Sequence, residues 1–138
     1  MAVTEPLLGR VTNAGGQPFL AGNLFPVDRA LAAPCTVEAA LPPGLVGSFV
    51  RNGPNPMFEP LGKYHMFDGD GMLHSVVFGA GTPRYRNRWI RSAALEAEIR
   101  QGRALYHGLA ELFEFPDPEL VGDAGPIKNP ANTHIVRH

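Results

Sequence analysis

Apolar and polar positions change rhythm several times along this chain, and each change marks an element. Ser48-Phe49-Val50-Arg51 alternates with β-favouring residues, which predicts a strand stopped by the turn formers Asn52-Gly53-Pro54-Asn55-Pro56. Residues 64–67 and 72–78 are apolar-rich runs on either side of Asp68-Gly69-Asp70-Gly71. Asp-Gly supplies the positive φ of a tight reversal, so the pattern predicts a β-hairpin. After Pro83, residues 84–90 put Tyr85, Asn87 and Trp89 on one face of a strand and Arg84, Arg86 and Arg88 on the other. The plain reading is a half-buried strand with a solvated basic edge, because charge protects edge strands.

The period then becomes helical. Ser92 is a cap for Ala93-Ala94-Leu95-Glu96-Ala97-Glu98-Ile99-Arg100, with acids early, Arg late and Gly102 to close. Residues 104–115 have mixed apolar character that suits a second short helix or an irregular wall. Pro116-Asp117-Pro118 and residues 122–126 predict loops. Residues 36–41 predict a short strand ended by Leu41-Pro42-Pro43-Gly44. Residues 132–136 read as a strand running off the end at His138. The first 34 residues are polar and punctuated by Gly and Pro, with one apolar knot at Asn23-Leu24-Phe25-Pro26-Val27. They predict a surface arm wrapped around something larger. No internal repeat and no low-complexity segment is seen.

Composition narrows the class. With 138 residues, 44% hydrophobic and 18% charged, the chain is globular and of one domain's size. Sixteen Gly and 14 Pro favour many turns and short strands over long helices. A net charge of −1 offers no attraction to nucleic acid. The single Cys35 has no internal disulfide partner, which suits a reducing compartment. Residues 1–10 contain an acid and lack a long apolar run, and no stretch approaches the ~18 apolar residues of a membrane span. The expectation is a soluble, cytoplasmic protein.

Five histidines invite a metal site. His134 and His138 lie four apart, but on a strand that spacing spans about 13 Å, whereas two ligands must each approach one ion to about 2.0–2.1 Å. On a strand the pair cannot share a metal. His65 and His74 flank the predicted hairpin and suit a polar rim or a hydrogen-bonded core position. Asp68-x-Asp70-Gly71 opens like a calcium loop but lacks the later ligands; aspartates bonding local N–H groups explain it better. Nothing positions a Ser/His/Asp or Cys/His catalytic set.

Five segments in order carry a resemblance that none carries alone: AGNLFPV (21–27), GSFVRNGPNP (47–56), FDGDGMLH (67–74), YRNRWIRS (85–92) and KNPANTHIV (128–136). Together they resemble the N-terminal part of the carotenoid cleavage oxygenases, a family that includes lignostilbene oxygenases and retinoid isomerohydrolases. The implied fold is all-β with short helices, the N-terminal portion of a seven-bladed β-propeller and incomplete as given. Residues 1–35 would be an arm, and residues 36–138 the first propeller strands, with a helical insertion at about 92–121.

The resemblance implies a non-haem iron(II) dioxygenase that cleaves a C=C bond of a carotenoid or apocarotenoid to carbonyl products. Its partners would be an apolar polyene and O2, with a peripheral membrane contact allowed in the full-length protein and no nucleic acid. Alternatives are lignostilbene-type cleavage, an isomerohydrolase, or a fragment that is inactive alone. The family holds iron with four histidines, the first in an Ala-His-Pro-like motif beyond the ANT segment. No Ala-His-Pro occurs here, so no metal ligand is assigned to this chain. Three positions carry over. Thr133 matches a position beside the open coordination site, where a small β-branched side chain would restrict access to dioxygen-sized ligands. Met66 and Leu109 match positions lining the substrate tunnel, and both are apolar as a polyene requires. An ordinary strand threonine and generic packing explain the same three residues. Where lignostilbene-cleaving members have a tyrosine able to bind a phenol oxygen, this chain has Leu109, which disfavours that substrate.

Overall fold

A computed structural model describes residues 3–4, 11, 15–79 and 81–136. Five strands, β1 (Val3–Thr4), β2 (Leu31–Pro34), β3 (Gly47–Pro54), β4 (Gly71–Phe78) and β5 (Arg84–Trp89), form one antiparallel sheet in the order β1-β2-β5-β4-β3. Helix α1 (Ala93–Gln101) follows the sheet, and a single turn, α2 (Pro118–Val121), lies further on. Among the described residues no helix is long and apolar enough to cross a membrane.

The register explains the faces. Leu31, Asn87, His74 and Arg51 stand opposite one another across four strands; so do Ala33, Tyr85, Val76 and Phe49; and Gly53, Met72 and Trp89 form a third row. Directly opposed residues share a face, so the alternation expected for residues 84–90 holds. Asn87 and Trp89 are buried, Tyr85 is half-buried, and Arg84, Arg86 and Arg88 are exposed. The arginines are not on a sheet edge, however. β5 lies between β2 and β4, and the outer strands are β1 and β3.

Packing gathers at the Met72–Trp89 end. Met57, Phe58, Met72, Trp89, Leu95 and Ala104 form one cluster, while Ala94, Ala97, Leu105, Tyr106 and Val121 form a second. Full burial of Leu95 alone contributes about 1.5–3 kcal/mol. Ser92 Oγ accepts from Leu95 N at 3.3 Å, and Gly102 ends α1 in the left-handed region at φ 67, as the capping pattern predicts. Side-chain amides fasten the segment before β2. Asn55 accepts from Val27 N at 2.8 Å and donates to Val27 O at 2.9 Å, and Gln17 spans Gly62 O and Tyr64 N, both at 2.8 Å.

Several expectations fail locally. Residues 64–67 are not a strand: Met66–Asp68 is a 3-10 turn, and β4 pairs with β3. Gly69 has φ −66, so Asp68-Gly69 makes no hairpin reversal. Asp68 bonds the local His65 N, as a turn aspartate does, and also the distant Leu109 N, while Asp70 is spent on Met57 N and Lys128. β3 runs three residues into the expected Asn52–Pro56 stop, pairing Asn52, Gly53 and Pro54 with Leu73, Met72 and Gly71, and ends at Pro54. Residues 36–41 form no strand. β2 lies earlier, and its ladder ends at Pro34 opposite Arg84, the first residue of β5, so nothing is left to pair with. Residues 132–136 form no strand either; Asn132 uses its side chain on a loop rather than joining a ladder. His134 is therefore not on a strand, contrary to the expectation for the His134–His138 pair, and His138 lies outside the described residues.

Candidate functional site around the Met66–Asp68 turn

The Asp-Gly-Asp-Gly stretch is the hub of the polar interior. His65 caps the Met66–Asp68 turn: its Nδ1 accepts from Phe67 N at 3.2 Å, and Asp68 Oδ2 accepts from His65 N at 2.8 Å. The other oxygen of Asp68 accepts from Leu109 N at 2.9 Å, which ties the 108–111 segment to this turn. Two residues on, Asp70 Oδ2 accepts from Met57 N at 3.0 Å, and Asp70 Oδ1 lies 2.7 Å from the ammonium of Lys128. Lys128 Nζ is also 2.6 Å from Glu98 Oε2, and Glu98 Oε1 accepts from Leu105 N at 3.0 Å. One half-buried cation thus faces two buried carboxylates.

Burial alone would lower the Lys128 ammonium, but the charges of Asp70 and Glu98 outweigh it and hold the group above the ordinary lysine value. Burial raises Glu98 above the carboxylate range against the pull of Lys128, and the nearby Asp70 charge adds to the rise. The two directions agree once the count is made: one ammonium cannot fully compensate two desolvated anions. Glu98 gave a signal that sequence reasoning missed. It falls three residues after Leu95 on the same buried helix face as Ala94 and Ala97, where a charge requires a partner.

The 128–132 segment is sewn onto the sheet. Gly71 N donates to Pro130 O at 2.6 Å, Asn52 Nδ2 to Ala131 O at 2.9 Å, and Asn132 Nδ2 to Phe67 O and Gly69 O, both at 2.8 Å. A cleft of about 120 Å³ opens between this segment, the Met66–Asp68 turn and the 106–114 region. Phe58, Phe67, Leu109, Leu112 and Ile127 supply its apolar wall, and Lys128 and His107 are among its polar lining. His107 sits between Glu111 at 3.3 Å and Glu114 at 3.6 Å.

Leu109 lines this cleft and also an adjoining concavity of about 760 Å³ that the 15–19 segment walls on the far side. Met66 stands in the turn itself, half-buried and lining neither space. Thr133 is exposed, directly after the sewn segment. Hydrogen bonds join the three regions through one turn: Asp68 reaches Leu109, and Asn132, the neighbour of Thr133, reaches Phe67.

Among the described residues no three His, Cys, Asp or Glu side chains converge as a metal site. His65 caps a turn, His74 Nδ1 is 2.7 Å from the Tyr85 hydroxyl, and His107 is held by glutamates. The described residues therefore do not fit a four-histidine iron centre.

Part of this fold matches oxygenases of known structure. A lignostilbene dioxygenase from Pseudomonas brassicacearum matches over 67% of this chain and 20% of its own at TM-score 0.63 and 29% identity. A cobalt-substituted apocarotenoid oxygenase of Synechocystis matches over 61% of this chain and 18% of its own at TM-score 0.53 and 30% identity. A carotenoid 9,10(9′,10′)-cleavage dioxygenase of Crocus sativus is 38% identical over 107 residues, 76% of this chain and 17% of the relative. The model of the retinal pigment epithelial membrane protein family matches residues 24–138, and the chain belongs to that family, the carotenoid oxygenases. It spans about a fifth of the length of these relatives.

Proposed function

We propose that the complete protein is a non-haem iron(II) dioxygenase that cleaves a C=C bond of a carotenoid or apocarotenoid. O2 supplies one oxygen to each carbon of the broken double bond, giving two carbonyl products. Family membership carries this reading, and the naming of one relative as a carotenoid cleavage dioxygenase and another as an apocarotenoid oxygenase supports it. Iron is the metal the family resemblance implies, and the cobalt-substituted relative supports a metal centre. Its ligands are not assigned to the described residues, and this chain alone is proposed to be inactive.

The sheet is proposed to belong to a seven-bladed propeller. Residues 1–35 are proposed to be an arm that joins the sheet through β1 and β2, and the first blades to carry the helical insertion at about 92–121. β3 supports this, because Phe49 and Val50 point to opposite faces and both are exposed. A strand apolar on both faces suits burial between further layers. Within the proposed enzyme Thr133 is a small wall beside the reaction centre, Leu109 contributes to the apolar passage, and Met66, which lines neither cavity of this chain, is proposed to reach the passage in the complete protein. Leucine at 109, set among Phe67, Leu112 and Ile127, supports a polyene over a phenolic stilbene. The likeness to a lignostilbene dioxygenase favours stilbene cleavage as the second reading.

The test is to incubate the complete protein in air with an apocarotenoid and with a hydroxystilbene and to identify the aldehydes. Aldehydes from the polyene are expected; turnover of the stilbene alone overturns the substrate assignment. Bound iron is measured in parallel for residues 1–138 and for the complete protein. Stoichiometric iron in the shorter chain overturns the claim that its residues hold none. Replacing Thr133 by Trp is expected to abolish O2-dependent turnover with iron content unchanged, and surviving activity overturns its placement.

A further inference from the structure

We propose that the Asp70–Lys128–Glu98 triad and the side-chain amides of Asn52 and Asn132 form a positioning device that sets where Thr133 stands relative to the Met66–Asp68 turn. The inference rests on the reading of Thr133 given above. It begins from a strained residue: Ala131, at φ 53, is the non-glycine residue with positive φ among those described. A side chain in the left-handed region persists where its surroundings over-determine it.

Those surroundings act from both sides. Upstream, Lys128 is driven between Asp70 at 2.7 Å and Glu98 at 2.6 Å, so the segment enters from a fixed point. Downstream, Asn132 Nδ2 bridges the carbonyls of Phe67 and Gly69, both at 2.8 Å. Between them Pro130 O and Ala131 O receive Gly71 N at 2.6 Å and Asn52 Nδ2 at 2.9 Å. Glycine is required at position 71 because a Cβ there would overlap the Ala131 carbonyl.

Thr133 itself is exposed, so the preceding residues determine its place. The turn that receives Asn132 also receives Leu109 N through Asp68. One turn is therefore the common origin from which both Thr133 and Leu109 are placed. A polar network enforces one geometry where apolar packing tolerates several, and reaction rates are sensitive to errors of about 1 Å in such placement.

Gly71→Ala, Asn132→Asp and Asn52→Ala are made in the complete protein, and Thr133→Trp serves as the reference. Asn132→Asp keeps the shape of the side chain but has no N–H to donate. Amide exchange over residues 128–136 is expected to accelerate about tenfold or more, with exchange in α1 unchanged. Turnover is expected to fall about tenfold in kcat, with KM within about twofold, the split expected when orientation and not binding is lost. Unchanged exchange in all three variants overturns the device. Accelerated exchange with undiminished kcat, while Thr133→Trp is inactive, overturns the positioning role and leaves the reading of Thr133 standing. Full activity in Thr133→Trp overturns both. Should Gly71→Ala fail to fold, Asn52→Ala and Asn132→Asp decide between the same outcomes.

Discussion

Two ends of one sheet obey the same alternation and meet different fates. In the row Gly53·Met72·Trp89 the side chains are buried, Met72 completely; four residues along, in the row Ala33·Tyr85·Val76·Phe49, Phe49 is 63% exposed. Residues 55–58, α1 and Ala104 cover the first end, and within this chain no described segment does the same for the second. Alternation decides which face a residue occupies. Whether that face is covered depends on segments tens of residues away. The covered end is also where the buried charges are, so its integrity rests on ion pairing as well as on apolar contact.

The sharpest way to break this contrast is to unpair the triad. Lys128→Met leaves Asp70 and Glu98 buried without compensation and is expected to cost about 3–5 kcal/mol, read as a lowered denaturant midpoint. Adding Asp70→Asn and Glu98→Gln to the same chain is expected to recover most of the loss. A cost under about 1 kcal/mol for the single change would show that the covered end does not depend on its charges.

Apolar truncation sets the two ends side by side. Leu95→Ala is expected to cost about 2–5 kcal/mol. In the chain of residues 1–138, Phe49→Ala should stay within about 0.5 kcal/mol, as for an exposed position. Equal costs in this chain would erase the distinction. In the complete protein the two substitutions sharpen it: a cost of several kcal/mol for Phe49→Ala there is the result expected if further propeller layers cover β3. Ala131→Gly, at the covered end, is expected to act in the opposite direction. It relieves the left-handed strain at φ 53 and should raise stability by about 1 kcal/mol.

What the sequence disclosed follows the same division. Elements set by local chemistry were legible: the alternation of β5, the Ser92 cap, and the Gly102 stop of α1. So was the first half of β3. Elements set by partners were not. Asp68-Gly69 has the composition of a reversal, yet its carboxylates are claimed by Leu109 N and, through Asp70, by Met57 N and Lys128. Asn52-Gly53 has the composition of a stop, yet β4 supplies a ladder that carries β3 on to Pro54. The β-branched residues Thr133, Ile135 and Val136 have the composition of a strand, but the segment is led away from the sheet by a strained alanine and a side-chain amide. For the site, the motifs marked Thr133, Met66 and Leu109 separately. That one turn joins their regions depends on contacts across more than 40 residues, which no local pattern encodes.

The smallest expected effect reports on the boundary between the two ends. His74 stands in the row Leu31·Asn87·His74·Arg51, between the covered and the bare halves. Burial, aided by the positive charge of Arg51, holds its imidazole below the ordinary value of 6.5, and its Nδ1 lies 2.7 Å from the Tyr85 hydroxyl. Above pH 6.5 the ring is neutral in both folded and unfolded chains, so the contribution of this site is fully present. As pH falls below 6.5 the unfolded chain takes up the proton first, and stability is lost progressively until the folded value is passed. The melting temperature of the protein is therefore expected to decline between pH 7 and pH 5 more steeply than that of His74→Gln, the variant removing the share due to this ring from that due to carboxylates. Parallel curves would show that the ring is no more buried folded than unfolded. A steeper decline in the complete protein than in residues 1–138 would show that the cover reaches past His74 toward Phe49. That result would make the bare half of the sheet a property of this chain and not of the protein it belongs to.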